Sequence, residues 1–277
     1  MADVHLHDPQ ALYRSWEQEQ WDPFQIDLSA DRRQWEDGLG DDDKGLVYWA
    51  LSSLMVAEER ITTKFAGLVM AGDSEEETTF LATQQVDEAR HMQFYARFQD
   101  EVIAAPETIA AHVARSREQL GQPFSVIFDQ ALVSAHERLV ADPHDAAAKA
   151  AFVTTYHLII ESTLGLTAFE FITRYLRDNQ LLGGFVDGYT HIHRDEHRHI
   201  GYGIWFLRNA AADAELADVI RQALRDLLPA TASALAPPDR KGTDWNALGA
   251  SSEEIRNFAL GGLTRRLKIV GVPLDSL

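Results

Sequence analysis

One five-residue pattern occurs twice in the sequence, as Asp87-Glu88-Ala89-Arg90-His91 and as Asp195-Glu196-His197-Arg198-His199. The composition of the chain yields this D-E-x-R-H pattern on the order of 0.005 times by chance, so two copies indicate a common purpose. On a helix, a glutamate and a histidine three residues apart lie on one face. Each copy can therefore direct a carboxylate and an imidazole at the same metal ion.

A single glutamate on an earlier helix partners each copy of the pattern. Glu58 precedes Glu88 by 30 residues, and Glu161 precedes Glu196 by 35 residues. A chain that runs along half a helix, turns and runs back brings each pair to the same depth, which predicts two similar helical hairpins. Glu58 is preferred to Glu59 because it shares its helix face with four apolar residues, Leu51, Leu54, Ile61 and Phe65.

Four carboxylates and two imidazoles form the ligand set of a carboxylate-bridged dimetal centre inside a four-helix bundle. Oxygen and nitrogen donors without sulfur suit iron or manganese. Four glutamates also balance the charge of two divalent ions, so the buried centre would be neutral. The predicted metal ligands are Glu58, Glu88, His91, Glu161, Glu196 and His199.

Residues beside the predicted ligands are expected to support them. Asp87 and Asp195 each adjoin a ligand glutamate, and a carboxylate that binds the distal nitrogen of a ligand histidine sets its tautomer and basicity. Arg90 and Arg198 are placed to brace those aspartates. The remaining histidines of these helices are expected to be surface or packing residues: His157, His191, His193 and His197.

Apolar residues recur with the helical period over most of the chain, and no segment shows the alternation that is typical of a strand. Helices are predicted over residues 44–71, 74–104, 107–119, 124–140, 145–177, 185–209, 214–227 and 251–269. Residues 1–43 are predicted to form an N-terminal arm in which Pro9 and Pro23 interrupt helix. The sequence therefore predicts an all-α fold of one domain, with the arm at 1–43 and a helical bundle at 44–277.

Composition excludes several classes of function. The chain of 277 residues is 45% hydrophobic and 25% charged, which is typical of a globular protein. It has no cysteine, which excludes disulfides, iron–sulfur clusters and thiolate ligands and fits a reducing cytoplasm. A net charge of -18 disfavours nucleic acid and anionic membranes as partners. The N-terminus lacks the pattern of a signal peptide and no apolar run is long enough for a membrane span, so we expect a cytoplasmic protein.

Five segments carry a resemblance to a known family: WDPFQIDLSADRRQWE at 21–36, AEERITTKF at 57–65, DEARHMQFYARF at 87–98, TYHLIIESTLGLTAF at 155–169 and RDEHRHIGYG at 194–203. Over about residues 21–273 the chain resembles the ribonucleotide-reductase small-subunit superfamily of ferritin-like proteins, and most closely its ligand-binding oxidases. The resemblance implies a ferritin-like four-helix bundle with additional helices, and a homodimer.

The same resemblance implies a metal pair, partners and a reaction. Manganese would occupy the first site, of Glu58, Glu88 and His91, and iron the second, of Glu161, Glu196 and His199, with an Fe/Fe pair as the alternative. Such oxidases bind a long-chain fatty acid at the metals and activate dioxygen, and the sequence does not identify the electron donor.

Activation of dioxygen in these oxidases also links a tyrosine to a valine through an ether bond. Tyr156 occupies the tyrosine position, and Ile61 stands in place of the valine. Isoleucine keeps a tertiary β-carbon, but its extra methylene changes the packing at the link. Helix periodicity would place Tyr156 about 140° from Glu161, so a π-bulge is needed to bring both residues to the centre.

Three further residues bear on the site. Tyr95 lies four residues after His91, where reductase small subunits carry a radical tyrosine, although a packing role is equally expected. Gly165 and Gly203 each lie four residues after a predicted ligand and remove side-chain volume from the inward face. A substrate cavity is therefore expected beside them.

The leading hypothesis is a dimetal oxidase that activates dioxygen and removes hydrogen from an unreactive C–H bond of a hydrophobic ligand. The first alternative is the radical-generating small subunit of ribonucleotide reductase, which docks through a C-terminal tail with a relay tyrosine. No tyrosine follows Tyr202, which favours the oxidase. The second alternative is an iron-storage or purely structural bundle.

Overall fold

A computed structural model describes residues 6–103, 108–237 and 244–277. The α-helices are α1 (Pro9–Gln18), α2 (Ser29–Asp37), α3 (Asp41–Lys64), α4 (Ala66–Met70), α5 (Glu75–Phe98), α6 (Ile109–Arg117), α7 (Gln122–Ser125), α8 (Leu132–Ala141), α9 (Ala146–Val153), α10 (Leu166–Asp178), α11 (Gly183–Ala210), α12 (Ala214–Ala234) and α13 (Ser252–Val270). Three π-helical segments cover Gln99–Ile103, Val126–Ala131 and Thr154–Gly165, and a 3-10 turn covers Leu274–Ser276. The prediction of an all-helical fold class is confirmed.

Two long helical hairpins form the centre of the molecule. In the first, α3 packs against α5; in the second, the segment from α9 through α10 packs against α11. Ser74 caps α5 by accepting a hydrogen bond from the Glu77 amide at 3.2 Å, as its position before three glutamates predicts. The predicted helix over 44–71 differs in detail, because it begins at Asp41 and divides at Phe65 into α3 and α4.

A π-helical segment lies in the middle of the second hairpin and contains Glu161. Residues 154–165 continue α9 and lead into α10, so the long predicted helix over 145–177 is present with a wider winding at its middle. The Thr163 hydroxyl donates to the carbonyl of Leu158, five residues earlier, at 2.6 Å. A π-helix brings residues five apart to the same side, which is the relation of Tyr156 to Glu161.

The N-terminal arm is helical, which corrects part of its prediction. Pro9 begins α1 instead of interrupting a helix, because the first turn of a helix needs no amide hydrogen from that position. The Asp8 carboxylate caps this helix at the Ala11 amide. Helix α1 packs against α5 and α11, and α2 packs against α11. The division into an arm at 1–43 and one helical domain at 44–277 stays a prediction.

The C-terminal part contains the strands that the sequence analysis missed. Two short strands, β1 (Asn246–Ala247) and β2 (Ala250–Ser251), pair antiparallel around a turn. Leu248 and Gly249 both have positive φ, at 50° and 71°, as a two-residue hairpin turn requires. The two strands have two residues each, which is too few to show an alternation of apolar and polar side chains.

Helix α12 runs past Pro229 to Ala234, beyond its predicted end at 227.

Candidate metal centre

Four helical elements bring the six predicted ligands to one place. Glu58 comes from α3, Glu88 and His91 from α5, Glu161 from the π-helical segment, and Glu196 and His199 from α11. Five of the six residues are buried, and the Glu196 side chain is 15% exposed. Glu59, which helix periodicity places on the more polar face of α3, is partly exposed, and its carboxylate forms an ion pair with Arg117 at 3.1 Å.

The imidazole of His91 faces three carboxylates through Nδ1. This nitrogen lies 3.4 Å from Glu88 Oε2, 3.6 Å from Glu58 Oε1 and 3.6 Å from Glu196 Oε1. One ligand atom from each of these four residues fits within 4.8 Å of the others. The group has the size of a site for one metal ion.

A second group forms around His199 in the same manner. Its Nδ1 lies 3.2 Å from Glu88 Oε1, 3.3 Å from Glu161 Oε1 and 3.8 Å from Glu196 Oε2. Glu88 and Glu196 therefore belong to both groups and present one oxygen to each. Shared carboxylates of this kind are the bridges of a dimetal centre, whereas Glu58 and Glu161 each belong to one group only.

Donor atoms at the middle of the cluster are left without partners. One oxygen of each glutamate and the Nδ1 of each histidine are buried and find no hydrogen-bond partner within the described part of the chain. Buried polar groups are almost always satisfied in folded proteins, so this convergence needs an explanation. A pair of divalent cations fits, because it would take up the lone pairs of oxygen and nitrogen donors and cancel four negative charges.

Without metal, the cluster holds its acidic groups in unusual protonation states. Burial, and after it the charge of Glu88, raises the pKa of Glu58 to about 8. Burial likewise raises the pKa of Glu161 to about 7. Burial alone would raise the pKa of Glu88, but the neighbouring His199 and His91 hold it well below its usual range. Four carboxylates cannot all stay ionised in this space without cations.

The two copies of the D-E-x-R-H pattern support each other across the centre. Asp195 accepts from His91 Nε2 at 3.2 Å, and Asp87 accepts from His199 Nε2 at 3.2 Å. Each aspartate thus orients the histidine of the other copy, with Nδ1 left to face the metals. Arg198 joins both aspartates, and Arg90 binds Asp87 at 2.8 Å, in agreement with the expected bracing.

Two tryptophans of the arm complete this support. The indole nitrogen of Trp16 donates to Asp87 Oδ1 at 2.9 Å, and that of Trp21 donates to Asp195 Oδ2 at 2.8 Å. Trp21 belongs to one of the segments that carry the family resemblance, whereas no sequence pattern points to Trp16. Their five-residue spacing carries no periodic signal, because the chain leaves α1 between them.

Comparison with known proteins decides the family. The sequence profile described as "Ribonucleotide reductase, small chain" matches residues 1–233 of this chain. The chain belongs to the ribonucleotide reductase small-chain family. The proteins of this family are dimetal oxidoreductases, so the resemblance and the expected class of enzyme are confirmed.

Solved structures of R2-like ligand-binding oxidases share the fold. A glycine-to-leucine variant with anaerobically reconstituted Mn/Fe cofactor superposes with a TM-score of 0.82 at 21% identity, covering 96% of this chain and 94% of that one. A valine-to-isoleucine variant with the same cofactor gives 0.81 at 22% identity over 96% and 94%. A variant with a non-activated Mn/Mn cofactor gives 0.81 at 22% over 95% and 93%. The likeness establishes the ferritin-like fold of this family member.

The π-helical segment places Tyr156 at the centre, as the expected bulge requires. This tyrosine is fully buried, and its hydroxyl donates a short hydrogen bond to Glu88 Oε1. Its ring packs against Phe65 with centroids 5.1 Å apart. Ile61 is also buried in the same apolar cluster. Burial raises the pKa of Tyr156 well above its usual value, and the charges of Glu161 and Glu88 raise it further, so the phenol keeps its proton.

Tyr95 belongs to a different apolar cluster from Tyr156. It is buried, and its hydroxyl has no hydrogen-bond partner among residues 6–103, 108–237 and 244–277. Its ring meets those of Phe185 and Tyr189 at 6.3 and 6.4 Å. Burial raises the pKa of Tyr95 well above its ordinary value. Because its pKa is raised by burial, Tyr95 remains a neutral phenol.

An apolar cavity of about 150 Å³ reaches the metal groups from the side of α3 and α10. Glu58, Glu161 and Glu196 line its inner end, and Ile61, Gly165 and Tyr95 line its walls with other mainly apolar residues. The expected cavity beside Gly165 is thus present. The expectation for Gly203 is wrong, because the ring of His157 fills the space that this glycine leaves.

The histidines outside the ligand set have mixed roles. His157 is fully buried and packs against Gly203, which is a packing role as expected. His191 stacks on Trp21, and His193 stacks on Phe169 at a centroid distance of 3.5 Å and lines the cavity. His197 is exposed.

Proposed function

We propose that this protein is a dimetal oxidase that activates dioxygen to oxidise a C–H bond of a bound hydrophobic ligand. Its metal ligands would be Glu58, Glu88, His91, Glu161, Glu196 and His199. The observation that carries the proposal is the convergence of unpartnered carboxylate oxygens and imidazole nitrogens beside an apolar cavity that three of these glutamates line. A storage or structural bundle needs no such cavity.

A Mn/Fe pair is the favoured cofactor, with Fe/Fe as the alternative. The donor set of oxygen and nitrogen accepts both metals. R2-like ligand-binding oxidases of the same fold carry Mn/Fe cofactors, which supports this choice. When bound, the metal pair would supply the electrons that dioxygen activation requires. An external electron donor would then reduce the metal pair again.

The protein side of the reaction follows from the site. Asp87 and Asp195 hold the two ligand imidazoles in one tautomer and orientation. Three glutamates face the cavity, so a ligand that enters it meets the metal site directly. The apolar walls exclude water from the reacting C–H bond.

A long-chain fatty acid or a similar amphipathic molecule is the proposed ligand. The apolar walls suit an alkyl chain, and the inner end suits a carboxylate that would bind the metals in place of solvent. Binding is measured with the metal-loaded protein and fatty acids of graded chain length. Binding of short polar acids in preference to long acyl chains would contradict this assignment.

An ether link between Tyr156 and Ile61 is a further proposed product. It would form between the phenol oxygen and the isoleucine β-carbon with loss of two hydrogens, whose electrons and protons pass to dioxygen. Both residues lie in one apolar cluster beside the centre, which supports the link. Peptide mass spectrometry before and after aerobic metal loading detects it as a joined peptide pair, and Ile61→Ala should abolish that pair.

The decisive experiment combines metal analysis with dioxygen uptake. Crystals grown with manganese and iron, measured by anomalous scattering at two energies, should show two ions between the six residues. Reduced, metal-loaded protein should then consume dioxygen with formation of an oxidised ligand or the ether link. Dioxygen uptake without either product would contradict the oxidase assignment.

A radical-generating subunit of ribonucleotide reductase is the second candidate. The buried, unpartnered hydroxyl of Tyr95 close to Glu58 favours it, because such a phenol suits a protected radical. Electron-spin resonance after dioxygen activation would show a signal that Tyr95→Phe removes, together with binding to a large catalytic subunit. A homodimer in the cytoplasm is proposed for either function.

Within the described residues, no helix has the length and apolar character that crossing a membrane requires.

A further inference from the structure

A glutamine that the sequence analysis did not consider lies between Tyr156 and the metal groups. Gln84 is one helical turn before Glu88 on α5 and is fully buried. Its amide nitrogen lies 3.2 Å from Glu161 Oε1 and 3.3 Å from the Tyr156 hydroxyl oxygen. In both contacts the amide nitrogen donates, and the carboxylate oxygen and the phenol oxygen accept.

His157 holds the amide in this orientation. Its Nε2 lies 3.4 Å from Gln84 Oε1 and 3.2 Å from Gln84 Nε2. The ring nitrogen therefore lies within hydrogen-bonding distance of both polar atoms of the amide.

The position of His157 depends in turn on Gly203. A Cβ atom at residue 203 would lie 2.2 Å from the Cβ of His157 and 2.6 Å from its Cγ. These atoms are close to the backbone, so no side-chain rotation relieves the overlap. Any larger residue at 203 would therefore displace the ring that orients Gln84.

The arrangement decides where the phenol of Tyr156 sends its single proton. Two carboxylates, Glu88 and Glu161, lie within hydrogen-bonding reach of its hydroxyl. Gln84 donates to the phenol oxygen and occupies the near oxygen of Glu161. The hydroxyl of Tyr156 itself donates to Glu88 Oε1, while the Gln84 amide nitrogen bridges the phenol oxygen and Glu161.

We propose that Gln84 is a positioning residue that directs the Tyr156 hydroxyl to Glu88 and away from Glu161, with His157 and Gly203 holding the amide in place. The inference rests on the proposed function for its purpose, which is a fixed proton acceptor for a tyrosine beside the metal site. Its geometry does not depend on that function.

The test is the NMR signal of the Tyr156 ring carbon that bears the hydroxyl, in protein labelled with ¹³C-tyrosine. Metal-free and Zn²⁺-loaded protein are both diamagnetic, and the signal is assigned by its loss in Tyr156→Phe. We expect Gln84→Met, which keeps the length but has no donor, to shift this signal. Gln85→Met is the matched control, because the neighbouring Gln85 donates to the Thr62 carbonyl at 3.3 Å and should leave the signal unchanged.

His157→Phe gives a second, independent perturbation. It keeps an aromatic ring but lacks the ring nitrogen that contacts the Gln84 amide, so it should shift the Tyr156 signal even if Gln84→Met does not fold. A Tyr156 signal that stays at its wild-type position in folded Gln84→Met, or in folded His157→Phe, overturns the proposal. A purely structural role would lower the melting temperature without moving this signal.

The proposed function is tested separately by dioxygen uptake of wild-type protein. No uptake by metal-loaded wild type would remove the oxidase assignment but leave the NMR result intact. Uptake with an unmoved Tyr156 signal in both variants would remove the role of Gln84 and leave the oxidase standing.

Discussion

Removal of the metals should make stability depend strongly on pH near neutrality. In the metal-free protein, burial, and then the charge of Glu88, raises the pKa of Glu58 to about 8, and burial raises the pKa of Glu161 to about 7. The ordinary value of both groups is 4.5. Between 4.5 and the raised values, the folded state keeps a proton that the unfolded state has lost. The free energy of unfolding must therefore fall as the pH rises through this window.

The magnitude follows from the same values. From pH 6 to pH 8, the contribution of Glu58 to the free energy of unfolding falls by about 2 kcal/mol, and that of Glu161 falls by about 1 kcal/mol. Glu88 has a lowered pKa and stays ionised throughout, so it adds no slope. The pKa values of Glu196, His91 and His199 are also raised, so each of these groups makes the fall in stability with pH steeper. The loss of about 3 kcal/mol from Glu58 and Glu161 alone corresponds to a fall of roughly 6–10 °C in melting temperature for a chain of this size, and the other three groups add to this fall.

Differential scanning calorimetry of chelator-treated and metal-loaded protein at pH 6, 7 and 8 measures the effect. Metal-loaded protein should show a much smaller slope, because the cations keep the carboxylates ionised at every pH. Glu58→Gln should reduce the slope of the metal-free protein by the share of about 2 kcal/mol that Glu58 contributes, while Glu59→Gln, beside Arg117, should retain the slope. A metal-free melting temperature that is constant or rises from pH 6 to pH 8 would refute the reasoning.

Three other predictions test the surroundings of the centre. Trp16→Phe removes the indole hydrogen bond to Asp87 and should weaken metal binding about 10-fold in chelator competition; unchanged affinity would contradict a supporting role. Lys149→Met removes the buried ion pair of Lys149 with Glu77 at 3.0 Å, and the Tyr202 hydroxyl and the Asp73 amide still donate to the carboxylate. It should lower the free energy of unfolding in urea by about 3 kcal/mol, with part of the loss recovered in the double variant with Glu77→Gln. Gly165→Leu fills the cavity and should reduce binding of a long-chain fatty acid at least about tenfold while both metals still bind; full binding would show that the ligand lies elsewhere.

Much of the metal centre was predictable because its signals are local. The Glu-x-x-His spacing needs only a helix to bring both side chains to one face, and Glu58 was separated from Glu59 by the apolar stripe of α3. The structure brings all six predicted residues together, and their role as ligands stays a proposal. The structure of the arm was harder to predict, because a proline interrupts a helix when it lies in the middle and favours a helix when it lies in the first turn. Asp8 caps the helix that begins at Pro9, and this cap decides between the two outcomes.

Residue order alone determined that the chain is helical, that a repeated element supplies carboxylates and imidazoles in pairs, and that the family is that of the ribonucleotide reductase small chain. Tertiary structure alone decided which aspartate supports which histidine, since Asp87 and His199 are 112 residues apart and meet only after the two hairpins pack. It also placed Trp16 on Asp87 and Gln84 against Tyr156. The reason is physical: helix periodicity arises from neighbours within one or two turns, whereas these contacts join elements that no local period relates.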